Sequence, residues 1–300
     1  MKPKKPRHSS PLRYPGGKAA LASFLKTTIR LNDLDGCEYY EPYAGGAGAA
    51  LELLFDGVVK KIHLNDADVR IHSFWRTILC NHKKLAERIA SVPLTIEEWH
   101  KQNAIASAPK RHKQFDIGFA TFYMNRCNRS GVITGAGPIG GYKQTGKYLL
   151  DARFNRSGLI DRIEHIAKNR DFISFSNLDA IDFLKQKLPL GNARSNVFAF
   201  LDPPYVVKGQ RLYLNAYEAS DHRKLARYLN KQSTVNWVMS YDDCSLIKDL
   251  YEKMSVRRFS INYALQDKRI AKELLVAPRH VSTPASCKIH GRRTILTSVS

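Results

Sequence analysis

The stretch CEYYEPYAGGAGAALELLF, residues 37–55, sets the strongest limit on the fold. An apolar run of strand length enters a glycine-rich turn, and the turn opens a run with helical spacing. The order strand, turn, helix returns in VVKKIHLNDADVRIHSFWRTIL (58–79), DFISFSNLDAIDFLKQKL (171–188) and STVNWVMSYDDCSLIKDLY (233–251). SNVFAFLDPPY (195–205) repeats the strand but continues into a long loop. RRFSINYAL and ELLVAP read as closing strands. Strands alternating with helices predict an α/β fold with a mostly parallel sheet covered on both faces. The strand runs are short and nearly continuous in apolar residues, as strands buried on both faces are.

Residues 80–165 break this alternation. They begin with helical material (Leu94–Ala108, then Phe115–Cys127) and continue into SGVITGAGPIGGYKQTGKY, which holds six glycines between Gly131 and Gly146. Turn chemistry of this density predicts an irregular loop or hairpin. A loop so long inside a compact domain is usually functional, and the interleaved Tyr142, Lys143, Lys147 and Tyr148 favour that.

Charge points the same way. The chain carries +21. Residues 1–13 hold five Lys/Arg and no acid, residues 277–300 hold four and no acid, and residues 108–170 hold twelve against four. Residues 14–109 balance at eleven against eleven. A basic block within a folded chain beside a neutral segment reads as a polyanion-binding surface, with nucleic acid foremost. No run approaches the ~20 apolar residues that span a bilayer, so no membrane role is expected. The basic N-terminus is not followed by an apolar segment of secretory type. Five scattered cysteines without a C-x-x-C pair suggest neither a metal site nor a disulfide framework, and a reducing cytoplasm is the simplest home.

The turn EPYAGGAG (41–48) lets the backbone approach a ligand at the carboxyl end of the sheet. Its spacing is not the G-x-G-x-x-G of dinucleotide binders. Asp66 ends the next strand and is placed to hold ribose hydroxyls. The alternative is an N-cap for the following helix. The glycine turn before it favours ribose.

Four segments together carry a resemblance: LRYPGGK (12–18), EPYAGGAG, NDAD (65–68) and DPPY (202–205). In this order and spacing they resemble Dam-like DNA adenine N6-methyltransferases of the class-alpha arrangement, over roughly residues 12–276. DPPY alone is a weak pattern, whereas YPGGK followed by EPYAGGAG is far more specific. The resemblance implies a Rossmann-like methyltransferase domain with a mostly parallel twisted sheet, plus a helical and loop DNA-recognition insert. It divides the chain into a basic arm (1–13), a catalytic domain (14–80 and 165–276), a target-recognition insert (81–164) and a basic, flexible tail (277–300). It implies S-adenosylmethionine as cofactor, contacted by Tyr14 and Lys18, by the turn residues Glu41, Pro42, Gly45, Gly46 and Gly48, and by Asp66 on the ribose. Asp202 lies beside the cofactor as the catalytic acid, and Asp179 falls where the family holds the cofactor's adenine. Double-stranded DNA is the implied partner, and a restriction endonuclease is a partner such enzymes can have.

The chemistry of DPPY fits that reading. An exocyclic amine is a poor nucleophile because its lone pair is delocalised into the ring. Asp202 and the Pro203 carbonyl are suitable acceptors for its hydrogens, and Pro203 and Pro204 limit the backbone that carries them. Tyr205 offers a ring for a base that has left the duplex. Standing alone, the same residues read as a turn acid, a strand terminator and a core ring.

NRCNRSG (125–131) falls where Dam-like enzymes place base-reading residues, but it departs from the members that methylate GATC, so that site is not expected. Arg126, Arg129, Lys143, Lys147 and Arg153 are the candidate DNA contacts, most of them to phosphate. Lys208 and Arg211, in the loop after DPPY, are placed to meet the strand carrying the flipped base. Two other readings remain: methylation of cytosine N4 or RNA adenine by the same acceptor logic, and a catalytically silent DNA-binding homologue.

Overall fold

The computed structural model describes residues 9–13, 18–206, 217–262, 270–289 and 292–299. They form two compact units, one made of Met1–Gly17, Gly45–Gly48 and Asp66–Asn177, the other of Lys18–Ala44, Ala49–Asn65 and Leu178–Ser300.

The second unit contains α1 (Ala22–Leu31), β1 (Cys37–Glu41), α2 (Gly48–Phe55), whose first residue lies in the other unit, and β2 (Val59–Asn65). Its strands follow the order β10-β6-β7-β5-β4-β1-β2. Here β4 is Val197–Leu201, β5 Asn236–Asp242, β6 Ser255–Asn262, β7 Ile270–Ala277 and β10 Thr297–Ser298. The pairs β1–β2, β1–β4 and β4–β5 are parallel. The pairs β5–β7, β6–β7 and β10–β6 are antiparallel. The expected parallel sheet is therefore present and carries an antiparallel edge. All five residues of β4 (VFAFL) and all seven of β5 (NWVMSYD) are buried, which explains why β4 is wholly apolar and β5 is rich in apolar residues. Tyr251, Phe183 and Leu225 belong to the same core cluster.

The chain leaves β1 for β2 on one side and reaches β4 on the other. A reversal of this kind opens a crevice beyond the carboxyl ends of the two strands, the usual ligand position in such sheets. Glu41 and Asp202 stand at those ends.

The first unit is mainly helical. It holds α3 (Val69–Ser91), α4 (Ile96–Ser107), α5 (Gln114–Cys127), α6 (Arg156–Lys168) and the short β3 (Ile173–Ser176). The Asp68 side chain caps α3 by accepting from Arg70 N, Thr95 caps α4 by accepting from Glu98 N, and Asn155 caps α6 by accepting from Gly158 N. Helices α3 and α5 approach closely because position 118 is glycine. A Cβ there would lie 2.3 Å from Thr77 Oγ1 and 2.6 Å from Ser73 O. The helical pieces expected within the insert are thus α4 and α5, while the compact unit reaches beyond 81–164 at both ends.

Residues 277–300, expected to be a basic tail flexible at least in part, contain β8 (Ser286–Ile289), β9 (Arg292–Ile295) and β10. Strand β10 forms the edge of the sheet by pairing with β6, and Val299 N donates to Val256 O. The sequence there lacks alternation because an edge strand has little of its surface to bury.

Candidate active site

At the end of β4, Asp202 is half-buried and Pro203 is buried. Ser240 Oγ, from β5, donates to Asp202 Oδ1 at 2.7 Å. Tyr205 is buried, with 9% of its surface exposed. Its hydroxyl donates to Glu273 Oε2 at 2.9 Å, and its ring lies 6.2 Å from that of Tyr241. The next residue, Val206, donates its backbone N–H to Asp242 Oδ1 at 3.0 Å. Asp202, Tyr205 and Val206 are therefore held by side chains of β5 and β7.

At the end of β1, Glu41 is buried and accepts from the Tyr39 hydroxyl at 3.0 Å. Burial, and then the charge of Glu41, hold that phenol well above its usual pKa. The Pro42 carbonyl accepts from Asn65 Nδ2, whose second bond goes to Leu178 O. Asn65 Oδ1 in turn accepts from Leu178 N. This one buried asparagine ties the end of β1 to the segment leading into α7 (Ala180–Lys187). Asp179, expected at the cofactor's adenine, is exposed and caps α7, its Oδ1 accepting from Ile181 N at 2.8 Å. Lys18 opens the 3-10 turn Lys18–Leu21. Tyr14, the Lys18 side chain, Lys208 and Arg211 lie outside what the structure describes.

In the first unit, the glycine turn is joined to Asp66. Gly45 N donates to Asp66 Oδ2 at 2.9 Å, and Gly45 O accepts from Trp75 Nε1 at 2.9 Å. Gly45 has φ +46°, and Ala47 adopts the left-handed region as well, at φ +47°. Asp66 Oδ1 accepts from Asp68 N at 2.9 Å. Burial pushes the Asp66 carboxyl up to about 6, and the neighbouring Asp68 adds to the rise, although the two amide hydrogen bonds oppose it. The cap of α3 is Asp68, paired through both oxygens with Arg70, so Asp66 is not the helix cap. A half-buried carboxylate clamped to a left-handed glycine turn suits a ligand bearing vicinal hydroxyls. Each carboxylate oxygen has a second lone pair beyond the amide it accepts.

The insert requires one correction. Arg126, expected to contact DNA, is buried. Its Nε donates to Arg153 O at 2.7 Å and its Nη1 to Pro11 O at 3.4 Å. Burial, together with the charges of Arg13 and Arg162, lowers its pKa to about 9. It holds backbone in place, because its rigid donors satisfy the carbonyls of Arg153 and Pro11. Asn125 acts likewise: its Oδ1 accepts from Arg13 N, and its Nδ2 donates to Arg13 O and Gly131 O. Asn128 accepts from Trp99 Nε1 and donates to Val132 O and Ile133 O. Half of NRCNRSG is thus internal scaffold. Arg129, Lys143, Lys147 and Arg153 are exposed, as are Tyr142 and Tyr148. The glycine-rich loop is built from tight turns, in which Gln144 donates to Ile139 O and Gly141 O and accepts from Leu150 N.

Sequence reasoning passed over Ser240, Asp242 and Glu273, and read Asn65 only as part of the NDAD motif. The first two had a signal, as polar residues at the end of a strand otherwise rich in apolar ones. Glu273 at the start of ELLVAP had none.

No curated protein compared with this chain matches it. Among solved structures, the crystal structure of TrmN from Thermus thermophilus is similar, at 12% identity and a TM-score of 0.39, over 87% of this chain and 48% of its own. The chain therefore spans about half the length of that protein. The family model for the D12 class N6 adenine-specific DNA methyltransferases matches residues 14–265. This chain belongs to that family.

Proposed function

We propose that the protein methylates the N6 amine of an adenine in duplex DNA, using S-adenosylmethionine as donor. The observation that carries this reading is Asp202 on its proline mount at the end of β4, with one carboxylate oxygen held by Ser240. Its carboxylate and the Pro203 carbonyl accept the two N6 hydrogens and concentrate electron density on nitrogen. The prolines contribute no N–H to compete for the acceptors. Tyr205 supports the flipped base through its ring, and its hydroxyl is fixed by Glu273. Asp66 and the Gly45–Gly48 turn fit the ribose and methionine parts of the donor, as their left-handed backbone and clamped carboxylate suggest. When bound, the donor would supply a sulfonium methyl to the N6 nitrogen, with the C–S electron pair retained by the departing thioether. The surplus proton on N6 then leaves to water. Positioning accounts for much of the rate. The exposed Arg129, Lys143, Lys147 and Arg153 bind phosphates of the duplex.

The test is to incubate the protein with labelled S-adenosylmethionine and mixed-sequence duplex DNA, then digest to nucleosides. N6-methyladenine from wild type and none from Asp202→Ala is the expected result. No N6-methyladenine from either would sink the reading. Sequencing the modified DNA identifies the target site.

A further inference from the structure

Strand β5 is buried along its whole length, and in its second half Ser240 is a hydroxyl among Val238, Met239 and Tyr241. A buried hydroxyl without a partner is destabilising, so alanine would be the simpler choice there. Ser240 is fully buried, and its partner is Asp202 Oδ1 at 2.7 Å. Against a carboxylate only the hydroxyl can donate, and the length is that of a charge-assisted bond. Leu201 of β4 faces Met239 of β5 in the parallel register, so Ser240 is the next β5 residue as Asp202 leaves the sheet. The same region holds the following residues. Asp242 accepts from Val206 N, and Glu273, its partner across the β5–β7 pair, accepts from the Tyr205 hydroxyl.

We infer that Ser240 is the positioning residue for Asp202. Its hydroxyl holds one carboxylate oxygen against β5 and so fixes the plane in which the carboxylate meets the incoming amine. This rests on the proposed role of Asp202 as acceptor of the N6 hydrogens. A serine that only satisfied a carboxylate would matter for stability. A positioning serine matters for turnover and for recognition of the amine.

The test uses the full chain, the target duplex identified from wild-type products, and the variants Ser240→Ala and Ser240→Thr. Ser240→Ala is expected to lower kcat by about tenfold to a hundredfold, with KM for DNA and donor changed less than about threefold. It also loses the binding preference for adenine over purine, which lacks the amine, at the target position. Ser240→Thr keeps the donor and restores kcat to within about threefold of wild type. In an Asp202→Ala background, Ser240→Ala has no further effect on that preference. Wild-type kcat in Ser240→Ala, or a threonine variant as slow as the alanine variant, overturns the inference. If the alanine variant fails to fold, Ser240→Cys, of nearly the same shape and a weak donor, takes its place under the same criteria. An active wild type with inactive Asp202→Ala and unimpaired Ser240→Ala defeats this inference alone. An inactive wild type defeats the methyltransferase reading and the inference with it.

Discussion

Asp66, in the ribose role proposed for it, would join stability to ligand binding through its proton. Its folded pKa of about 6 lies above the ordinary carboxylate value of about 3.9, so the folded chain binds the proton more tightly than the unfolded chain does. Its contribution to stability is therefore full below pH ~4 and is lost as pH rises through about 6. Ribose hydroxyls need the ionised form as acceptor. Affinity for S-adenosylmethionine should thus rise as pH climbs through about 6, and calorimetric titration of Asp66→Asn should show weak binding without that rise. A wild-type affinity independent of pH between 5 and 7 would count against the ribose role. Arg126 leads to a different expectation. Replacing it with alanine removes the donors to the Arg153 and Pro11 carbonyls and should cost about 1–3 kcal/mol in urea unfolding. The salt dependence of DNA binding should stay as in wild type. A reduced salt slope with unchanged stability would return Arg126 to the DNA-contacting surface.

Among the elements, the glycine-rich loop and the C-terminal strand make contrasting claims. Lys143 and Lys147 are exposed on a loop whose backbone is braced by Gln144, so their removal leaves the turns intact. The double variant Lys143→Ala/Lys147→Ala should shift stability by no more than about 0.5 kcal/mol. It should also flatten log affinity against log salt by roughly 0.9 per lost phosphate contact, read by fluorescence anisotropy. Strand β10 does the opposite. Its pairing with β6, and the bond from Val299 to Val256, shield an antiparallel edge. Ending the chain before Thr297 should lower stability by about 1–2 kcal/mol, measurable as a lower melting temperature, while the DNA salt slope changes little. An unchanged melting temperature would mean that β6 does not need this cover.

For the whole molecule, the decisive quantity is charge. A net +21 and a pI near 9.8 make binding to any duplex strongly salt-dependent. If six to ten phosphates are neutralised, affinity for a duplex without the target should fall by about 10³ to 10⁵ between 50 and 200 mM salt. A flat salt response would contradict DNA as the partner. Among the described residues, no helix is long and apolar enough to cross a membrane.

Local chemistry determined much of this protein. Repeated strand–turn–helix units dictated an α/β sheet, because an apolar run of strand length buried on both faces must be covered by the helices between strands. The motifs EPYAGGAG and DPPY were legible because glycine and proline constrain the backbone wherever they stand. Asp66 was legible as the acid ending the strand after the turn. Other roles depended on what the fold brings opposite a side chain. Arg126 and Arg129 are indistinguishable as letters, but α5 turns the first inward onto backbone carbonyls, while the second lies past its end and is exposed. Asp179 and Asp66 both precede helices, yet one caps and the other clamps a turn. Ser240 and Glu273 lie 38 and 68 residues from the groups they hold. Only strand pairing brings them to the DPPY segment, and pairing across such distances leaves no trace in local periodicity.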